Sequence, residues 1–116
     1  MKTIHQIFNE FLPGKIQNDP MCLAETGVRE KTIGIEIEGA QGGSWAFRFD
    51  GQGAVSVVPA TPSADCTIET KDATFQELLA GKLNVAWAFV TRKIKVRGDS
   101  ALAAKLGSGL QKLFKR

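Results

Sequence analysis

Few residues in this chain of 116 could do covalent or metal chemistry, and their spacing argues against both. The sole histidine, His5, stands where the flanking pattern puts the polar side of a helix, a place for a solvated imidazole rather than a base or a ligand. Cys22 and Cys66 match neither a metal-ligand spacing nor the Cys-x-x-Cys of a redox pair, so they read as two reduced thiols, the second on a strand. Without a second histidine no ordinary zinc site can be assembled. Neither a Gly-x-Ser-x-Gly nucleophile turn nor a phosphate-cradling Gly-x-x-x-x-Gly-Lys loop occurs. The glycine-rich segment Gly39-Ala40-Gln41-Gly42-Gly43 joins two strands rather than a strand to a helix and reads as a hairpin loop. The expectation is a protein that is not an enzyme and holds no metal or cofactor.

The basic residues are the other candidates. The net charge is +3, and residues 92–116 carry Arg92, Lys93, Lys95, Arg97, Lys105, Lys112, Lys115 and Arg116 against the single acid Asp99. Such a run can be the solvated faces of a strand and a helix. Alternatively, Arg92, Lys93, Lys95, Arg97, Lys112 and Lys115 form a membrane-facing set that attracts anionic headgroups at about 1 kcal/mol per residue. Nucleic acid is disfavoured as a partner, because no aromatic residue stands between Arg92 and Arg97 to stack on bases.

With 43% hydrophobic and 23% charged residues, the chain reads as one domain over 1–116. The longest apolar run is Val85 to Val90, and polar residues interrupt the apolar ones of the first turn, so neither a signal peptide nor a membrane span is expected. A domain of this size has roughly 5–15 kcal/mol of stability, so an internal cavity would consume a noticeable share of it.

Periodicity supplies the elements. Ile4, Ile7, Phe8, Phe11 and Leu12 recur at helical spacing, with Pro13-Gly14 expected to end that helix. Residues 15–31 read mostly as loop, with a weak helical tendency from Met21 to Thr26. Ile33, Ile35 and Ile37 alternate with polar residues, and after the glycine loop Trp45, Phe47 and Phe49 do the same, which predicts an antiparallel hairpin. Asp50 to Gly53 turns the chain into a third strand, Ala54 to Val58, followed by a loop bracketed by Pro59 and Pro62. A fourth strand, Cys66 to Thr70, leads to a helix capped by Asp72, with Phe75, Leu78 and Leu79 on its apolar side and Gly81 at its end. Asn84 caps a short helix from Val85 to Val90 that is apolar all round and must be buried or face something apolar. Lys93 to Arg97 form the last strand. A final helix, capped by Asp99 or Ser100, carries the stripe Leu102, Leu106, Leu110, Leu113 and Phe114, interrupted by Gly107 and Gly109. Those glycines mark a kink, a close approach to a neighbour, or a mobile segment over a ligand entrance. The order of elements indicates an α+β domain with helices on one face of a mostly antiparallel sheet.

Within residues 71–106, Gly81-Lys82-Leu83-Asn84, Ala88-Phe89, Lys93-Ile94-Lys95-Val96-Arg97-Gly98-Asp99 and Leu102 to Leu106 resemble the sterol carrier protein 2 family, and the strands from Thr32 to Thr70 agree in order and spacing. The resemblance implies a five-stranded sheet covered on one face by helices, with an internal hydrophobic tunnel that accepts a fatty acyl chain, phospholipid, acyl-CoA or sterol. Its cavity lining would be Ile35, Ile37, Trp45, Phe47, Phe75, Leu79, Trp87, Phe89, Leu102, Leu106 and Leu110, although the same residues could simply fill a core. The implied function is non-catalytic lipid binding or transfer by a monomer or weak homodimer, with transient contact with anionic membranes. The alternatives are an accessory module presenting a lipid-like substrate to a separate enzyme, and a dimerisation module. Val85, Ala86 and Trp87 stand where the family often has proline and methionine, and Arg92 where it has glycine. The peroxisomal members end in Ser-Lys-Leu, whereas this chain ends Phe114-Lys115-Arg116, so a cytoplasmic location is expected.

Overall fold

In the computed structural model, which describes residues 3–60 and 63–115 and only the backbone at Val85, Phe114 and Lys115, one sheet has the strand order β3-β2-β1-β4-β5. The strands are β1 (Lys31–Glu38), β2 (Gly43–Phe49), β3 (Val55–Pro59), β4 (Cys66–Lys71) and β5 (Ile94–Gly98). The alternation read from the sequence sets which side faces in: Ile33, Ile35, Ile37, Phe47 and Phe49 are all buried. All pairings are antiparallel except β1 with β4, which is parallel. β4 follows β3 in the chain but lies beside β1, and Ala64, just before β4, stands over the outer face, 3.6 Å from where a Cβ on Gly34 would lie. There the Thr32 and Asp65 backbone amides donate to the Asp65 carboxylate and the Thr32 carbonyl respectively, each at 2.8 Å. Pro59 closes β3 opposite Trp45, tolerated because β3 is an edge strand. Pro62 lies outside the described residues.

The helices cover the inner face. The first segment is α1 (Ile4–Gln6), a π-helical turn (Ile7–Phe11) and α2 (Leu12–Asn18), and it buries Ile4, Ile7, Phe8 and Leu12. Pro13-Gly14 does not end it. The Leu12 amide reaches back five residues to the Ile7 carbonyl, and this wider turn places Pro13 at the start of α2, where a missing N–H and a bulky ring are accommodated. Phe8 anchors the segment, stacking on Trp45 at 4.3 Å between ring centroids and lying 5.6 Å from Phe75. A 3-10 turn, Ala24–Thr26, follows where only a weak helical tendency was legible.

α3 (Asp72–Leu79), α4 (Val85–Val90) and α5 (Ser100–Lys115) complete the layer. Asp72 does not act as the expected cap but lies in the first turn of α3. One carboxylate oxygen accepts from the Ala73 amide at 2.8 Å and the other from Gln41 at 3.1 Å, tying the glycine loop to α3. Asn84 does cap α4, accepting from the Trp87 amide at 3.1 Å. Asp99 accepts from the Ala101 amide at 3.0 Å at the start of α5. Gly109 marks a close approach: a Cβ there would lie 2.7 Å from the Thr26 methyl and 3.3 Å from Leu23.

Arg92 closes α4 with φ of +61°, in the left-handed region that favours glycine, at the very position where the resembled family carries glycine. Arg92→Gly is therefore expected to raise stability by about 1 kcal/mol, read as a higher urea midpoint. A lower midpoint would show that contacts of the arginine side chain outweigh its backbone cost.

Candidate functional site

The inner face of the sheet and the helices do not close on each other everywhere. Ile35, Ile68, Thr70 and Ile94 from β1, β4 and β5 form the floor of a cavity of about 30 Å³. Phe75, Leu78 and Leu79 of α3 and Phe89 of α4 form its sides, and Ala103, Gly107, Leu110 and Gln111 of α5 its roof. The void lies along the row of α5 spaced by four residues, 103, 107 and 111, where two side chains are small. The neighbouring leucines, Leu102 and Leu106, are buried in the core instead.

The walls offer an apolar chain almost nothing polar. The Gln111 side-chain amide donates to the Leu78 carbonyl at 2.8 Å and to the Leu83 carbonyl at 2.9 Å, clamping the end of α3 to α5. Thr70 donates its hydroxyl hydrogen to the Lys93 carbonyl at 3.2 Å. The hydrogen-bond donors of both polar linings are thus turned to backbone carbonyls, and a ligand here would be held mainly by burial. A volume of about 30 Å³ admits only one or two waters, so this cavity is far smaller than the tunnel the resemblance implies.

Of the expected lining residues, Ile35, Phe75, Leu79, Phe89 and Leu110 border this cavity. Ile37 and Phe47 are buried in the core, and Trp45 is half-buried against Phe8. Trp87 is 59% exposed and Val90 73%, so α4 buries Ala88 and half-buries Phe89 while turning an apolar side outward. An apolar sequence does not oblige a short helix to be buried on all sides, because there is too little polar surface to cover a small domain. Ile68, Thr70, Leu78, Ile94, Ala103, Gly107 and Gln111 also line the cavity and are not among the expected lining residues, although the sequence marks Gly107 as a kink, a close approach or a segment over a ligand entrance. The small-residue row on α5 was the available signal.

The basic set is divided. Arg92, Lys93 and Lys95 share an open cleft of about 310 Å³ with Lys71, Glu38 and Glu69 at one end of β4 and β5. Lys112 borders a different groove, with Lys105, Cys22 and Thr26, between α5 and the 3-10 turn. Arg97 is committed to the outer sheet face, 3.2 Å from both Glu36 and Glu69. The Lys115 side chain lies outside the described residues.

His5 is exposed, but it is tethered, with Nε2 2.9 Å from the Gly42 carbonyl and its ring edge against Trp45. Burial, followed by the negative charge of Asp99, pushes the Cys66 thiol above its usual range, which keeps it protonated and unreactive. Among the described residues no group of three His, Cys, Asp or Glu side chains could hold a metal ion, and no helix is long and apolar enough to cross a membrane.

A mixed, mostly antiparallel five-stranded sheet with helices on one face and an apolar void between the layers defines the class: an α+β domain of the sterol carrier type. The chain belongs to the SCP-2 sterol transfer family, whose model matches residues 8–111. It is 32% identical to human sterol carrier protein 2 over 124 aligned positions, covering 84% of this chain and 23% of that one. It is also 32% identical to the mouse peroxisomal multifunctional enzyme type 2 over 108 positions, covering 80% of this chain and 15% of that one. The solved structure of the ubiquinone synthesis protein UbiJ-SCP2 superposes with a TM-score of 0.65 at 15% identity, covering 99% of this chain and 96% of that one. The chain spans only 15–23% of the length of the first curated relatives it matches.

Proposed function

We propose that this domain binds and carries a lipid, holding a single apolar chain between the sheet and α3–α5 without converting it. The observation that carries this reading is the cavity wall, in which the only polar side chains among the described residues, Thr70 and Gln111, donate to backbone carbonyls. Membership of the SCP-2 sterol transfer family supports it. Ligand pockets typically enclose about 300–1,000 Å³, so the bound state requires α4 or α5 to move away from the sheet. The small side chains of Ala103 and Gly107 and the short α4 make this layer the one that yields at least cost. The proposed setting is the cytoplasm, where Cys22 and Cys66, which form no disulfide, would remain thiols.

A second reading, presentation of a lipid-like substrate to a separate enzyme, draws on the shared fold of the ubiquinone synthesis protein named above. Both readings need a bound lipid. Native mass spectrometry of the protein mixed with palmitate, an acyl-CoA or cholesterol is expected to show a one-to-one complex with at least one of them, on a monomer or a weak dimer. A spectrum holding only free protein with all three would rule out both readings.

A further inference from the structure

α4 has two sides with different surroundings. Inward, Ala88 is buried and Phe89 borders the apolar cavity. Outward, Trp87 and Val90, three residues apart and therefore on one side of the helix, are 59% and 73% exposed, with exposed Ala86 beside them. Exposure of one apolar side chain is ordinary in a small domain, but Trp87 and Val90 adjoin, and adjoining exposed apolar side chains rimmed by polar residues mark interaction surfaces. The surrounding charge is net positive. Lys82, Arg92 and Lys93 flank the helix and are exposed, and the adjoining cleft holds Lys71, Arg92, Lys93 and Lys95 against Glu38 and Glu69, the latter already paired with Arg97.

We propose that this outward side of α4 is the surface by which the protein docks on an anionic phospholipid bilayer. Trp87 and Val90 enter the headgroup boundary, while Lys82, Arg92 and Lys93 meet the phosphates. An indole is suited to that depth, having an apolar body and one N–H donor. A helix of this length, about 9 Å, can lie in the interface but cannot cross it. A second copy of the chain fits less well, because a two-fold contact through α4 would bring each cluster of cations against its counterpart. Arg97 takes no part, being held by Glu36 and Glu69, and Lys112 borders another groove. The proposal rests on the carrier reading and deepens it: because Phe89 and Trp87 belong to the same helix, docking brings the wall of the cavity to the membrane.

The test uses the intact chain with vesicles of phosphatidylcholine alone and of phosphatidylcholine mixed with phosphatidylglycerol. Co-sedimentation is expected to be about tenfold or more stronger on the mixed vesicles and to weaken as salt rises. Val90→Asp and Trp87→Ala alter exposed side chains and should keep the wild-type circular dichroism, yet each should lower partitioning by about tenfold. In a Trp45→Phe background, Trp87 emission should shift to the blue on mixed vesicles and be quenched by brominated lipid. Unchanged partitioning of both variants would overturn the proposal. So would a dimer that Val90→Asp dissolves, which would assign the surface to a second copy. Palmitate binding in vesicle-free solution separates the two readings: if it persists while vesicle preference is absent, the docking surface is wrong and the carrier reading stands. If both are absent, both fall.

Discussion

Leu106→Asp is expected to cost about 5 kcal/mol or more and to leave the domain at or below the edge of folding at 25 °C. Leu106 is 0% exposed in the middle of α5, in the core shared with Leu102, Leu110 and the sheet. The substitution removes the burial of a whole leucine side chain, about 2–5 kcal/mol including the space left behind. It then either buries a carboxylate or forces its protonation, which adds several kcal/mol more. Against a total of roughly 5–15 kcal/mol, this is most of the stability of a domain of this size. Leu106→Ala isolates the first contribution and should leave a folded protein with a lower urea midpoint. An unchanged midpoint for Leu106→Asp would mean that the stripe on α5 does not pack on the sheet.

How much of this could be read in advance depended on whether the determining interactions were local. Ile33, Ile35, Ile37, Phe47 and Phe49 announced their face by strict alternation, and Asn84 announced its cap by its position before an apolar run. Pro13-Gly14 reads as a helix end because proline breaks a regular α-helical ladder, whereas the π-helical turn before it relieves the conflict that proline creates. The parallel pairing of β1 with β4 left no mark on the alternation, since it depends on a connection that crosses the sheet and is fastened by Asp65 to Thr32. Arg97 looked like one more solvent-facing cation in a basic strand, and its partner Glu36 lies 61 residues away.

The candidate site was legible as a class and only partly as a list of residues. Large apolar side chains attract notice, yet Phe47, Leu102 and Leu106 fill space, and the void lies where α5 carries Ala103 and Gly107. Gln111 was invisible for a related reason: its value lies in two backbone carbonyls at the end of α3, which only the folded chain brings near it. A helix apolar all round is expected to be buried or to face something apolar, and the structure leaves Trp87 59% exposed, a conspicuous apolar surface among the described residues.

The central claim, that the space between the sheet and α3–α5 takes a lipid chain, is tested most directly by stability as a function of chain length. A ligand that binds only the folded state adds about 2.7 kcal/mol at a hundredfold excess over its dissociation constant, a rise of several degrees in melting temperature for a domain of this size. Affinity should grow along a series of saturated fatty acids, each buried methylene contributing about 0.8 kcal/mol until the space is full. Ala103→Leu sets a larger side chain on the cavity roof at a cost of about 1–3 kcal/mol, and it should weaken the longer acids most. The account predicts a melting temperature that climbs with chain length in the wild type and a blunted climb in Ala103→Leu. A melting temperature indifferent to every chain length, or a climb that Ala103→Leu leaves untouched, would contradict it.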